Sequence, residues 1–163
     1  MECLSREEIE EMLKKCLHLL LDNDKYLFEK DVNERSISHM LAFYLKSKEF
    51  KEWDVDCEYN RDRHETKKLD SIYNMLEEIG KYDLIRNTEG ITVFPDIIVH
   101  KRGTDNNLLV IEIKKCTSSK VRDDFDIAKL KAFRADKDYR FAVFLKFKIG
   151  NTDEVGWEEM RWY

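Results

Sequence analysis

Residues 108–111 read Leu-Leu-Val-Ile, and the run continues as Glu112-Ile113-Lys114-Lys115. In an extended chain successive side chains point to opposite faces. Leu109, Ile111 and Ile113 therefore share one face, while Leu108, Val110, Glu112 and Lys114 share the other. A strand apolar on both faces has no solvated side, so it has to be a central strand, covered above and below. Glu112 and Lys114 break the pattern only at the C-terminal end. They lie about 6–7 Å apart between Cα atoms, on one face. A charge leaving bulk water needs a partner, a counter-ion or a metal.

The neighbouring segments supply the cover. Ser5 followed by Glu8 has the form of a capping box. Apolar residues at helical spacing then predict a helix over 6–21. A second helix follows Asn33 and runs to about Lys48, with Glu34 in its first turn. Residues 53–60 alternate apolar and acidic and read as a half-exposed strand. A charged helix is expected over 65–81, and a strand from Thr92 to His100. Arg102 to Asn107 is the turn of a hairpin, with Gly103 able to take a positive φ. A helix from Asp123 to Arg134 and a strand from Tyr139 to Phe147 follow. The tail after that strand reads either as an edge strand or as a segment packed on the core. The order predicts an α/β fold, a mixed central sheet flanked by helices. The length and the near absence of proline and glycine fit a single domain over 1–163.

If the hairpin turns near Gly103, the start of its first strand meets the end of its second. Asp96, after the chain's one proline at the strand's start, then converges with Glu112 and Lys114. Two carboxylates and a lysine at one point suit metal-assisted hydrolysis of a phosphodiester. Hard oxygen ligands favour Mg²⁺ or Mn²⁺. The lysine would orient or deprotonate the attacking water, or stabilise the charged transition state. Beside a cation its proton affinity should fall.

Pro95-Asp96, fifteen intervening residues and Glu112-Ile113-Lys114 resemble the signature of the PD-(D/E)XK nuclease superfamily. The segment order over 33–147 resembles that family's restriction-endonuclease-like core, αβββαβ, with an extra N-terminal helix and an inserted helix. The resemblance extends to small uncharacterised bacterial members. It implies a metal-dependent nuclease, DNA being the expected substrate, with Asp96, Glu112 and Lys114 catalytic. It also implies that Glu34, from the first core helix, joins Asp96 and Glu112 at the metal. Read from its residues alone, Glu34 serves equally as a favourable charge at a helix N-terminus.

With 39% charged residues and a formal net charge of -5, no global field draws a polyanion to the chain. Nucleic acid would have to be met by a local patch or through metal. Arg61, Lys67 and Lys68 offer one group of phosphate contacts, or a solvated loop. Lys115, Lys120 and Arg122 form the better run. Lys129 lies in the helix after the motif, where the resembled nucleases often keep a polar residue facing the site, although the residues alone favour a solvent-facing lysine, and His100 reads as an isolated core or surface residue. The alternative function is a catalytically silent nuclease-fold domain that binds nucleic acid or protein. A homodimer or a protein partner is compatible with either. The four cysteines have no metal-knuckle or redox-pair spacing, and free thiols are expected. No segment is apolar enough for a signal sequence or a membrane span, so the expectation is a cytoplasmic protein.

Overall fold

In the computed structural model, described for residues 4–59, 61–62, 65–66, 74, 77, 94–150 and 156–163, the predicted capping box starts the first helix. The Ser5 N–H donates to Glu8 Oε2 at 2.7 Å, and the Glu8 N–H donates to Ser5 Oγ at 3.2 Å. Two otherwise orphaned N–H groups are thus satisfied, and α1 runs over Arg6–Asp24. Ser5→Ala is expected to lower unfolding stability by about 1 kcal/mol, read from the midpoint of urea unfolding at unchanged slope.

A single turn, α2 (Tyr26–Glu29), leads to α3 (Glu34–Tyr44), which is capped by the Asn33 side chain on the Arg35 N–H at 2.9 Å. A π-helical turn over Leu45–Glu49 ends this segment, closed by the Phe50 N–H donating to the Leu45 carbonyl. It buries Leu45 and Phe50 completely and turns the chain toward β1 (Asp54–Cys57). β2 (Arg61–Asp62) and β3 (Glu65–Thr66) pair as a small separate hairpin. Glu65 and Thr66 are therefore extended and do not open the helix expected over 65–81, whose remainder lies largely outside the described residues. β4 (Ile97–His100), β5 (Asn107–Lys115), α4 (Lys120–Lys137), β6 (Phe141–Lys148) and β7 (Gly156–Trp162) complete the order.

The main sheet has the order β1-β4-β5-β6-β7. β4 is antiparallel to both β1 and β5, β5 and β6 are parallel, and β7 returns antiparallel on β6. Among the described residues the tail is thus an edge strand of the sheet. α4 carries the crossover between the parallel pair, as a parallel connection requires.

β5 is the central strand its sequence demanded. Leu109, Ile111 and Ile113 pack with α1 and α3 on one face, among Leu13, Leu17, Ile37 and Leu41. Val110 packs with α4 on the other, against Leu130 and Phe133. The adjoining strands alternate in the same way, Ile97 and Val99 toward the first core and Ile98 toward the second. The result is a mixed sheet covered by helices on both faces. α4 begins three residues earlier than its apolar stripe suggests. Lys120 and Arg122 accordingly stand on its first turn.

Candidate active site

Ile97 faces Ile111 and Ile98 faces Val110 across the β4–β5 pair. One further step in this register sets Asp96 opposite Glu112. Glu112 shares the parity of Val110 and meets Lys129 of α4, while Asp96, just before β4, lies close enough to Glu112, Lys114 and Lys129 for their charges to act on it. The hairpin therefore brings its two ends together. The Asp96 carboxylate caps the strand, accepting the Ile113 N–H at 2.7 Å on Oδ2. Its main-chain carbonyl accepts the Glu58 N–H at 3.3 Å. Glu58 holds a positive φ of 47°, so β1 bends sharply beside the site, and its carboxylate is taken by Arg35 at 2.6 Å.

Glu112 has no solvent exposure. Its closest cation is Lys129, whose Nζ lies 2.9 Å from Oε2. Neither carboxylate oxygen has a hydrogen-bond partner among the described residues. Burial, with Asp96 and Asp126 adding repulsion, pushes the Glu112 carboxyl well above the ordinary carboxylate range, although Lys129 opposes the shift. Burial raises Asp96 as well, against the pull of Lys129, the Ile113 N–H and Lys114.

Lys114 reaches Asp126 Oδ2 at 3.0 Å and Glu34 Oε2 at 3.5 Å, and donates to the Ile113 carbonyl at 3.2 Å. Burial disfavours its charge, but Asp126, Asp96 and Glu34 outweigh that and hold its proton more firmly than usual. Glu34 arrives at the end of β5 from the first turn of α3. Its Oε1 accepts the Lys115 N–H at 3.2 Å, so its contacts here are Lys114 and the β5 backbone.

Asp126 escaped the sequence, and Lys129 takes the less favoured of its two readings. Asp126 and Lys129, one turn apart on α4, are buried and paired at 3.0 Å. The expectation of a solvent-facing Lys129 fails because α4 turns this flank toward the charged end of β5. The signal was present in the spacing of Asp123, Asp126, Lys129 and Phe133, which extends the apolar stripe at intervals of three and four. His100 is also tied in, with Nε2 2.9 Å from Asp56 Oδ2, and Arg102 engages the same carboxylate. The Cys57 thiol near Asp96 is pushed up to about 11, by burial first and then by Asp96, so it offers no thiolate at neutral pH.

The basic residues divide. The Lys115 ammonium is taken by Asp31 at 2.7 Å and the Val32 carbonyl at 3.2 Å, so it braces the loop before α3 and is not a free phosphate contact. Lys120 and Arg122 are exposed, with no ion pair among the described residues. The Arg61 side chain, Lys67 and Lys68 lie outside the described residues. Two hollows flank the carboxylates. One, of about 470 Å³, lies between α3 and β1 and is lined by Arg35, His39, Cys57, Glu58 and Asp96. The other, of about 200 Å³, is formed by Lys114, Val121, Arg122, Phe125 and Asp126.

No family model, curated protein or solved structure matches this chain. Its chemistry rests on the side chains themselves. Among the described residues no three carboxylate, histidine or cysteine groups are arranged to enclose a metal ion. Mg²⁺, however, is commonly held by one or two carboxylates, with water and substrate phosphate completing its shell. Asp96 and Glu112 fit that smaller requirement, since they are neighbouring hard-oxygen donors and the buried Glu112 oxygens lack hydrogen-bond partners among the described residues. No helix among the described residues is long and apolar enough to cross a membrane.

Proposed function

We propose that the chain is a divalent-metal-dependent nuclease with a restriction-endonuclease-like core, hydrolysing phosphodiester bonds of DNA. The observation that carries this reading is the Asp96 carboxylate bound to the Ile113 N–H, beside Glu112, with the Lys114 ammonium at the same strand end. The succession α3, β1, β4, β5, α4, β6 supports it, having the order of the αβββαβ core. Asp96 and Glu112 would hold Mg²⁺ or Mn²⁺. A bound ion would supply Lewis acidity toward the phosphate and a hydroxide nucleophile at neutral pH. Lys114, fixed between Asp126 and Glu34, keeps its proton and offers a preorganised positive charge to the transition state. Glu34 acts as its positioning residue. The two hollows give a polynucleotide room on either side, and Lys120 and Arg122 meet its backbone.

The test is cleavage of plasmid, linear duplex and single-stranded DNA with Mg²⁺ or Mn²⁺, with Asp96→Ala run beside the parent. Cleavage by the parent alone supports the reading. A parent that cuts none of the three with either ion leaves the silent nucleic-acid- or protein-binding domain as the better account. The patch is tested separately. Lys120→Ala with Arg122→Ala should reduce the slope of log affinity against log salt by about 2, close to one for each phosphate no longer neutralised. An unchanged slope would remove these two residues from the interface.

A further inference from the structure

The Lys129 ammonium sits in a cage of oxygens. Glu112 Oε2 is 2.9 Å away, Asp126 Oδ1 3.0 Å, and the Phe94 carbonyl accepts a hydrogen bond at 3.2 Å. An ammonium has three N–H donors, and three acceptors surround this one. The oxygens come from three parts of the chain: β5, α4 and the segment before β4. Two carboxylates and a carbonyl are also the donor set a hard cation takes. Neither Glu112 oxygen has a hydrogen-bond partner among the described residues, and the ion pair with Lys129 reaches only Oε2, leaving Oε1 without a charged partner among them. A carboxylate with one oxygen on a cation and the other free is arranged to bridge two positive centres. In two-metal phosphodiesterase sites those centres are both metals, about 3.5–4 Å apart.

We infer that Lys129 is a tethered stand-in for the second cation, and that the site accepts a single divalent ion at Asp96 and Glu112. This rests on the nuclease reading above and specifies its metal count. Charge counting agrees. Fully ionised, Glu34, Asp96, Glu112 and Asp126 bring four negative charges to this end of the sheet, and Lys114 and Lys129 return two positive ones. The remainder equals one divalent ion. A second ion would have to expel a lysine held on α4 with a side chain only 10% exposed. Lys129 thereby supplies fixed charge that no chelator removes, and Asp126 positions it from one turn away on the same helix.

Mn²⁺ binding followed by electron paramagnetic resonance of the free ion counts bound ions without any cleavage step. The parent should bind one Mn²⁺ per chain. Lys129→Met, which keeps the stem and removes the charge, should bind two, and Lys129→Arg should return the count to one. Circular dichroism shows whether Lys129→Met is folded; the parent and the arginine variant decide the matter if it is not. A parent that binds two ions overturns the inference, as does a folded methionine variant that still binds one. If such a two-ion parent also cuts DNA, the nuclease reading survives. A parent that binds no Mn²⁺ overturns both.

Discussion

Asp96→Asn lowers Mg²⁺-dependent cleavage of plasmid DNA by at least about 10²-fold while leaving the protein folded. Removing one preorganised electrostatic group from an active site costs about 10²–10³ in rate. The substitution is chosen for what it preserves. The amide oxygen of asparagine can still accept the Ile113 N–H that Asp96 Oδ2 accepts at 2.7 Å, so the β4–β5 junction keeps its bond. What disappears is the negative charge facing Glu112. Initial rates at saturating Mg²⁺ provide the measurement, with urea unfolding in chelator as the control. A variant that cuts within a few-fold of the parent, at equal stability, would mean that Asp96 holds no metal. Glu112→Gln should lose as much activity.

Lys129→Met is expected to cost about 3–5 kcal/mol of stability in chelator, far more than a surface lysine is worth. The loss comes from stranding charge. Glu112 has no exposure and Lys129 is its closest cation at 2.9 Å. Adding Glu112→Gln to Lys129→Met should recover much of the cost, because the second change removes the stranded carboxylate. Additive losses in this double-mutant cycle would show that the two side chains do not interact.

The pH dependence follows from the same burial. Glu112 and Asp96 both bind protons more tightly folded than unfolded. The folded state then holds more protons, and stability falls as pH rises. Their contribution is complete below the unfolded carboxylate range and is lost as pH climbs through the raised folded values. Metal-free parent protein should accordingly lose stability as pH rises above that range. Glu112→Gln should flatten the dependence, and Lys129→Met should steepen it. A metal-free parent whose stability climbs across that window would contradict the burial of both carboxylates.

The central strand was readable because both of its parities are apolar from Leu108 to Ile111, a pattern no half-exposed strand tolerates. Its register with β4 was readable in outline from the turn around Gly103, which does adopt a positive φ of 74°. Alternation could therefore place Glu112 and Lys114 on one face and bring Asp96 to them. It could not say how their charges would be shared out. That depended on the rotation of α4, and a helix with apolar residues at 127, 130 and 133 admits more than one orientation. The structure turns Asp126 and Lys129 inward, so the Lys129 ammonium lies beside Glu112. The fate of Lys115 was hidden for a similar reason. Its partner Asp31 lies far away in sequence, in a loop with no periodicity to read. The tail was ambiguous because Trp157 and Trp162 fit an edge strand or a packed segment equally, and only pairing with β6 decides.

That pairing leaves β7 as one outer strand of the sheet. It presents Glu158 and Arg161 to solvent between half-buried tryptophans. An exposed strand margin invites another chain to add to it, and ionic side chains along the margin discourage this. Crowded copies of the protein are thus steered away from lateral sheet growth along β7, the route that leads toward fibres. Refolding at high concentration is protected on that flank by the ionic side chains of β7.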